Sequence, residues 1–189
     1  MFTSNLRKKF SSISNRAGND LGKLGFTPNI LTTFCLLFGL LAAAFIYTGR
    51  PAEAILFLIL SGLMDFLDGS VARTCHMESK FGGLYDSTVD KTTEIAVYMA
   101  IGMNNPLLWT GASAAISMFM LSSYVSKHAK ASGGEGGGGI LERKERMILL
   151  VIGLVWAPYM QYVLYIIAGF SALTCLQRFL RNYWALKGK

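Results

Sequence analysis

The chain predicts an all-α integral membrane protein, with six transmembrane helices preceded by an amphipathic helix on the cytoplasmic surface. Three observations carry that expectation. The 189 residues are 52% hydrophobic and only 15% charged, with a mean hydropathy of +0.42, against about 25% charged residues in a typical soluble domain. The apolar residues fall into runs of the ~20 residues that a helix needs to cross a bilayer. The basic residues gather in alternate connections between those runs, as a multi-pass topology requires.

Residues 1–26 form the surface segment. It is polar and basic, and Phe2, Leu6, Phe10, Ile13, Leu21 and Leu24 recur at helical spacing. Such a segment is expected to lie on the leaflet rather than cross it, and it lacks the form of a cleavable signal peptide. Thr27-Pro28-Asn29 then opens the first span, with proline where a helix start tolerates its missing N–H. The spans run over 29–48, 52–72, 83–103, 107–125, 147–156 with its flanks, and 159–180. Gly49-Arg50-Pro51 and Met103-Asn104-Asn105-Pro106 are short outer turns, and Ala157-Pro158 separates the last two spans. Residues 27–189 thus make one six-helix membrane domain.

In this topology seventeen of the eighteen Lys and Arg residues fall on one side, and Arg50 alone falls on the other. By the positive-inside rule, both termini and the inner connections face the cytoplasm, in the plasma membrane of the cell. A net charge of +7 suits anionic headgroups and phosphorylated substrates. So apolar a chain is a poor partner for nucleic acid. Cys35, Cys75 and Cys175 are isolated and without metal spacing, so buried small side chains are expected rather than a disulfide framework. Residues 132–140 read Ser-Gly-Gly-Glu-Gly-Gly-Gly-Gly-Ile, a flexible loop that is either a linker or a mobile lid.

The chemistry is concentrated in four aspartates, Asp65, Asp68, Asp86 and Asp90, which lie in or beside apolar runs. Ionised carboxylates in a bilayer are costly and need cations to hold. Asp65 and Asp68 are three apart and Asp86 and Asp90 four apart, so each pair shares one helix face. Two antiparallel helices joined by a short turn can therefore point all four into one space. Gly69, Ala72, Gly82 and Gly83 leave room for a close approach there. Four carboxylates balance two divalent cations, and an oxygen-only donor set favours Mg²⁺, Ca²⁺ or Mn²⁺ over zinc. Paired metals are a device for displacement at phosphorus. Glu94, one turn past Asp90, either extends the acidic cavity or pairs with a base.

The run Asp65-Phe-Leu-Asp68-Gly69-Ser-Val-Ala72-Arg73, followed by Gly82, Asp86 and Asp90, resembles the complete signature of the CDP-alcohol phosphatidyltransferase family. The resemblance implies six transmembrane helices, a homodimer, and transfer of a lipid phosphoryl group from a CDP-linked lipid to an alcohol with release of CMP. It implies that Asp65 and Asp86 bridge two divalent metal ions, Mg²⁺ or Mn²⁺, with Asp68 completing one site and Asp90 the other. Asp90 is then also the general base. Gly69, Arg73, Ser79 and the Pro28-Asn29-Ile30-Leu31 stretch would contact the CDP-lipid. By local chemistry alone, Asn29 and Thr32 are ordinary cap and turn residues.

The second half of the chain is similar to the inositol-phosphate-using branch of that family, in Ser123-Tyr124-Val125, residues 129–133, Glu142-Arg143-Lys144-Glu145-Arg146 and Cys175-Leu176-Gln177-Arg178. The similarity implies inositol 1-phosphate, a phosphorylated polyol, as acceptor, with its phosphate held by Arg143, Arg146, Arg178 and Lys127. The chain departs from the branch after Ser-Tyr-Val. Ser126 and His128 stand where the branch carries a Lys and an Arg, with Lys127 and Lys130 supplying displaced charge. Glycerol 3-phosphate is the alternative acceptor, and a divalent-cation transporter is the alternative from another class.

Overall fold

The computed structural model describes residues 14–187, which are helices joined by turns with no strand among them. In order they are α1 (residues 14–23), α2 (Pro28–Tyr47), α3 (Pro51–Thr74), α4 (Lys80–Asn104), α5 (Trp109–Ala131), α6 (Arg143–Val155) and α7 (Met160–Lys187). Single 3₁₀ turns, Pro106–Leu108 and Ala157–Tyr159, lead into α5 and α7. Each contains a proline at its start, where fixed φ favours the turn.

Four stretches are long and apolar enough to cross a membrane: Pro28–Tyr47, Pro51–Thr74, Pro106–Ala131 and Ala157–Lys187. The protein is a multi-pass membrane protein. The other two expected spans differ for identifiable reasons. Helix α4 has the length, at 25 residues, but it carries Lys80, Asp86, Asp90, Lys91 and Glu94. Helix α6 has only 13 residues, about 20 Å at 1.5 Å per residue, against a ~30 Å hydrocarbon core. Its start is fixed by a capping box, in which the Glu142 N–H donates to Glu145 Oε2 at 3.0 Å. Its end is set by the Trp156-Ala157-Pro158 break.

The chain forms two compact units, Met1–Phe45 with Glu53–Val97, and Ile46–Ala52 with Tyr98–Lys189. In the first, α2 meets α3 where the Ser61 hydroxyl donates to the Cys35 carbonyl at 2.9 Å. It meets α4 where Gly39 faces Thr93 too closely for a Cβ. Phe57 on α3 packs between Phe38 and Phe45 on α2. Helix α1 lies against the end of α3 through Ser14, Gly18 and Gly22, spaced one turn apart. The Ser14 and Ser70 hydroxyls are 2.6 Å apart, a Cβ on Gly18 would sit 2.8 Å from the Ser70 carbonyl, and one on Gly22 would collide with Cys75 Sγ. That small-residue stripe, rather than an apolar one, is what α1 turns to its neighbour. Of the expected apolar face, Leu21 is half-buried and Leu24 exposed. Phe2, Leu6, Phe10 and Ile13 lie outside the described residues.

In the second unit α5 packs along α7, with Phe119, Leu150, Leu164 and Ile167 fully buried. Tyr98 stacks against Phe119 at 5.6 Å, and Gly111 lets the Leu164 side chain approach to 3.0 Å of where its Cβ would be. Cys35 is buried, and Cys75 and Cys175 half-buried, all as free thiols.

Candidate active site

The last three turns of α3 carry Asp65 and Asp68, and the first three turns of α4 carry Asp86 and Asp90. Between them residues 75–79 reverse the chain, with His76 in the left-handed region at φ 54°. Helix α4 is started by Ser79, whose Oγ accepts from the Gly82 N–H at 2.9 Å, an N-cap to an otherwise orphaned donor. The expected nucleotide contact therefore also has a structural task.

This hairpin brings carboxylate oxygens of Asp65, Asp68 and Asp86 within 4.8 Å of one another. At an effective dielectric of 20, each pair of charges at that distance repels by about 3–4 kcal/mol. Positive charge among the trio relieves that repulsion. Its donors are all carboxylate oxygens, the set that hard divalent cations prefer, so the residues present fit a metal of the Mg²⁺ or Mn²⁺ type. Asp90 stands one turn beyond Asp86, half-buried and outside that trio. Glu94, another turn on, is buried and takes a 3.4 Å contact from Lys91 Nζ; of its two readings, the pairing with a base is realised.

Asp68 is held by a residue that the sequence alone did not mark. Thr32, 3% exposed, donates from Oγ1 to Asp68 Oδ2 at 2.6 Å, a charge-assisted bond. The available signal was periodicity, since Thr32 follows Pro28 by four and Asn29 by three and shares their face of α2. Pro28, Asn29, Thr32, Asp68, Gly69, Ser79 and Asp86 all line one cavity of about 280 Å³. Arg73 lies across Gly69, with Nη1 3.1 Å from where a Cβ would stand, so a side chain there would push the guanidinium back by a few tenths of an ångström. Ile30 and Leu31 are placed differently. Ile30 is exposed on the outer face of α2 and Leu31 is in the core, and neither lines this cavity.

The expected acceptor-binding cations belong to the second unit. Arg146 is buried, with its guanidinium 5.0 Å over the Phe119 ring and Nη1 3.4 Å from the Leu141 carbonyl. Arg178 is half-buried and donates from Nε to the Gly138 carbonyl at 2.9 Å. Its Nη1 donates to the Ser122 carbonyl and hydroxyl, each at 3.1 Å. Both arginines thus meet the end of the glycine-rich loop. Arg143 is half-buried at the start of α6, while Lys127 is exposed on α5. His128 is exposed and stacks on Tyr124 at 4.4 Å between ring centres.

Membrane-crossing helices with a carboxylate trio at a cavity that Asp68 and Asp86 help to line define an integral membrane protein with an acidic, metal-type centre. Residues 26–175 match the family model for CDP-alcohol phosphatidyltransferase, and the chain belongs to that family of transferases. It is 32% identical over 176 residues to the archaetidylinositol phosphate synthase of Pyrococcus horikoshii, a match covering 93% of each chain. It is 28% identical over 199 residues to the phosphatidylinositol phosphate synthase of Mycobacterium marinum, covering 96% of this chain and 84% of that one. Its fold matches the Mycobacterium tuberculosis phosphatidylinositol phosphate synthase crystallised with CDP-DAG bound, with a TM-score of 0.82 at 24% identity over 91% of this chain and 94% of that one. The same enzyme in complex with manganese and citrate matches with a TM-score of 0.81 at 24% identity, over 90% and 88%. Membership of a transferase family leaves the cation-transport reading without support.

Proposed function

We propose that this protein makes an inositol phospholipid phosphate, by transferring the phosphatidyl or archaetidyl group of a CDP-linked lipid to inositol 1-phosphate with release of CMP. The observation that carries this reading is the closure of Asp65, Asp68 and Asp86 beside the cavity lined by Pro28, Asn29, Gly69 and Ser79, inside the segment that matches the family. The names of its relatives support the inositol phosphate acceptor.

In this reading Asp65, Asp68, Asp86 and Asp90 would together hold two divalent cations. Bound there, Mg²⁺ or Mn²⁺ would supply charge neutralisation at the reacting phosphoryl group. Thr32 fixes the Asp68 carboxylate. Gly69 admits the nucleotide close to the backbone, and Arg73 and Ser79 offer donors to its phosphates. Asp90 takes the proton from the acceptor hydroxyl. The hydroxyl oxygen then forms a bond to the lipid-bearing phosphorus as the bond to CMP breaks. Arg143, Arg146, Arg178 and Lys127 attract the acceptor's phosphate.

The finer architecture belongs to the same proposal. Helix α4, and α6 together with the residues that flank it, complete six spans, residues 1–26 lie on the cytoplasmic surface and residues 27–189 form the membrane domain. The termini and the aspartates face the cytoplasm of a plasma membrane, and two copies associate. Seventeen of the eighteen basic residues on one side support that orientation.

The deciding experiment is metal-dependent CMP release from CDP-diacylglycerol and CDP-archaeol by purified protein, with inositol 1-phosphate, glycerol 3-phosphate, inositol and serine compared. Release with inositol 1-phosphate alone is expected. Release only with another alcohol retires the acceptor assignment, and no release with any of them retires the reaction.

A further inference from the structure

Residues 133–141, which by composition suit a free linker, are strapped along one face of α7. The Leu141 N–H donates to Thr174 Oγ1 at 3.1 Å. The Gly138 carbonyl accepts from Arg178 Nε and the Gly137 carbonyl from Arg181 Nη1, both at 2.9 Å. Asn182 closes the strap from both sides, accepting the Glu135 N–H on Oδ1 at 2.9 Å and donating Nδ2 to the Glu135 carbonyl at 3.0 Å. Its side chain is 5% exposed, so these bonds are made where water competes little. Ser126 Oγ also donates to the Gly136 carbonyl. A segment without secondary structure has thereby placed its peptide groups on side chains.

The glycines serve that contact. A Cβ on Gly134 would collide with Asn182 Oδ1 and one on Gly139 with Thr174 Cγ2, while Gly133 and Gly138 take φ of +81° and +79°. The result is a row of carbonyls at Gly137, Gly138 and Leu141 that meets Arg181, Arg178 and Arg146. Carbonyls orient guanidinium groups without cancelling their charge. Glu142, the carboxylate in electrostatic range of Arg178, is engaged in the capping box of α6. The loop thus gathers Arg181, Arg178 and Arg146 at its carbonyls.

We propose that Asn182 is a positioning residue for the acceptor: by fixing Glu135 it sets the loop carbonyl at Gly138 that aims Arg178 at a phosphate monoester. This rests on the acceptor reading above. The test compares wild type with Asn182→Leu, which keeps the branched heavy-atom shape and loses both bonds to Glu135, and Gly134→Ala, which pushes on the same amide. Each variant is assayed for CMP release with inositol 1-phosphate and CDP-lipid varied separately. The KM for inositol 1-phosphate is expected to rise about tenfold, with kcat and the KM for CDP-lipid unchanged. Equal changes in both KM values, or none, overturn the proposal. Should the variants not fold, amide exchange of Glu135 and Leu141 in wild type decides: slow exchange supports the strap, and exchange at the rate of a free glycine linker overturns it. If wild type uses no phosphorylated acceptor, the acceptor reading itself fails. If wild type uses one and Asn182→Leu behaves as wild type, only this proposal does.

Discussion

Thr32→Val offers the most direct test of the site. The substitution keeps the β-branched shape in a position 3% exposed and deletes only the hydroxyl. It removes the 2.6 Å bond from Oγ1 to Asp68 Oδ2. A hydrogen bond to a charged group is worth ~1.5–3 kcal/mol, which corresponds to a loss of about 10–150-fold in the equilibrium it supports. The equilibrium concerned is metal binding, because the bond orients a carboxylate of the trio. Outer partners of metal ligands typically contribute 10–100-fold, in line with that range. The assay is CMP release as a function of Mg²⁺ and Mn²⁺ concentration, with folding checked by thermal unfolding in detergent. The Val variant should require at least tenfold more metal for half-maximal rate and recover rate at saturation, and Thr32→Ser should titrate near wild type. Superimposable metal titrations for Val and wild type would refute the reasoning, since the bond would then have no part in holding the centre.

Two further outcomes follow from the same hairpin. Asp90→Asn should abolish turnover while leaving CDP-lipid binding intact, measured by calorimetry or by ligand-induced thermal shift; equal loss of both would remove the general-base role. Ser79→Ala deletes the cap that accepts the Gly82 N–H and should lower stability by ~1 kcal/mol, read as a fall in Tm. A larger effect on the KM for CDP-lipid than on Tm would show that the hydroxyl contacts substrate as well.

The apolar runs and the aspartate spacing made much of this molecule legible without coordinates. Asp65 and Asp68, three apart, share a helix face and the hairpin brings Asp86 to them, while Asp90, four past Asp86, stands outside the trio. The break at Ala157-Pro158 was legible in the sequence, but hydropathy over a window does not reveal that α6, starting at the Glu142 cap, has only 13 residues. Nor does it weigh charges that a helix turns toward a site rather than toward lipid. Leu31 and Ile30 were grouped with Pro28 and Asn29 by motif, yet successive residues of a helix lie 100° apart and cannot all line one cavity.

Composition, periodicity and charge placement by themselves determined that the chain is helical, membrane-crossing and built around carboxylates on two neighbouring helices, because these are properties of local sequence. Only the tertiary structure decided that Thr32 holds Asp68, that Ser14, Gly18 and Gly22 dock α1 on α3, and that the glycine-rich segment is strapped to Asn182 and Arg178. These contacts join residues 36 to 56 positions apart in the first two cases and about 40 to 47 in the third. Over such separations no local period links the partners; glycine in particular carries no side chain to announce whether it frees a chain or lets another atom come close.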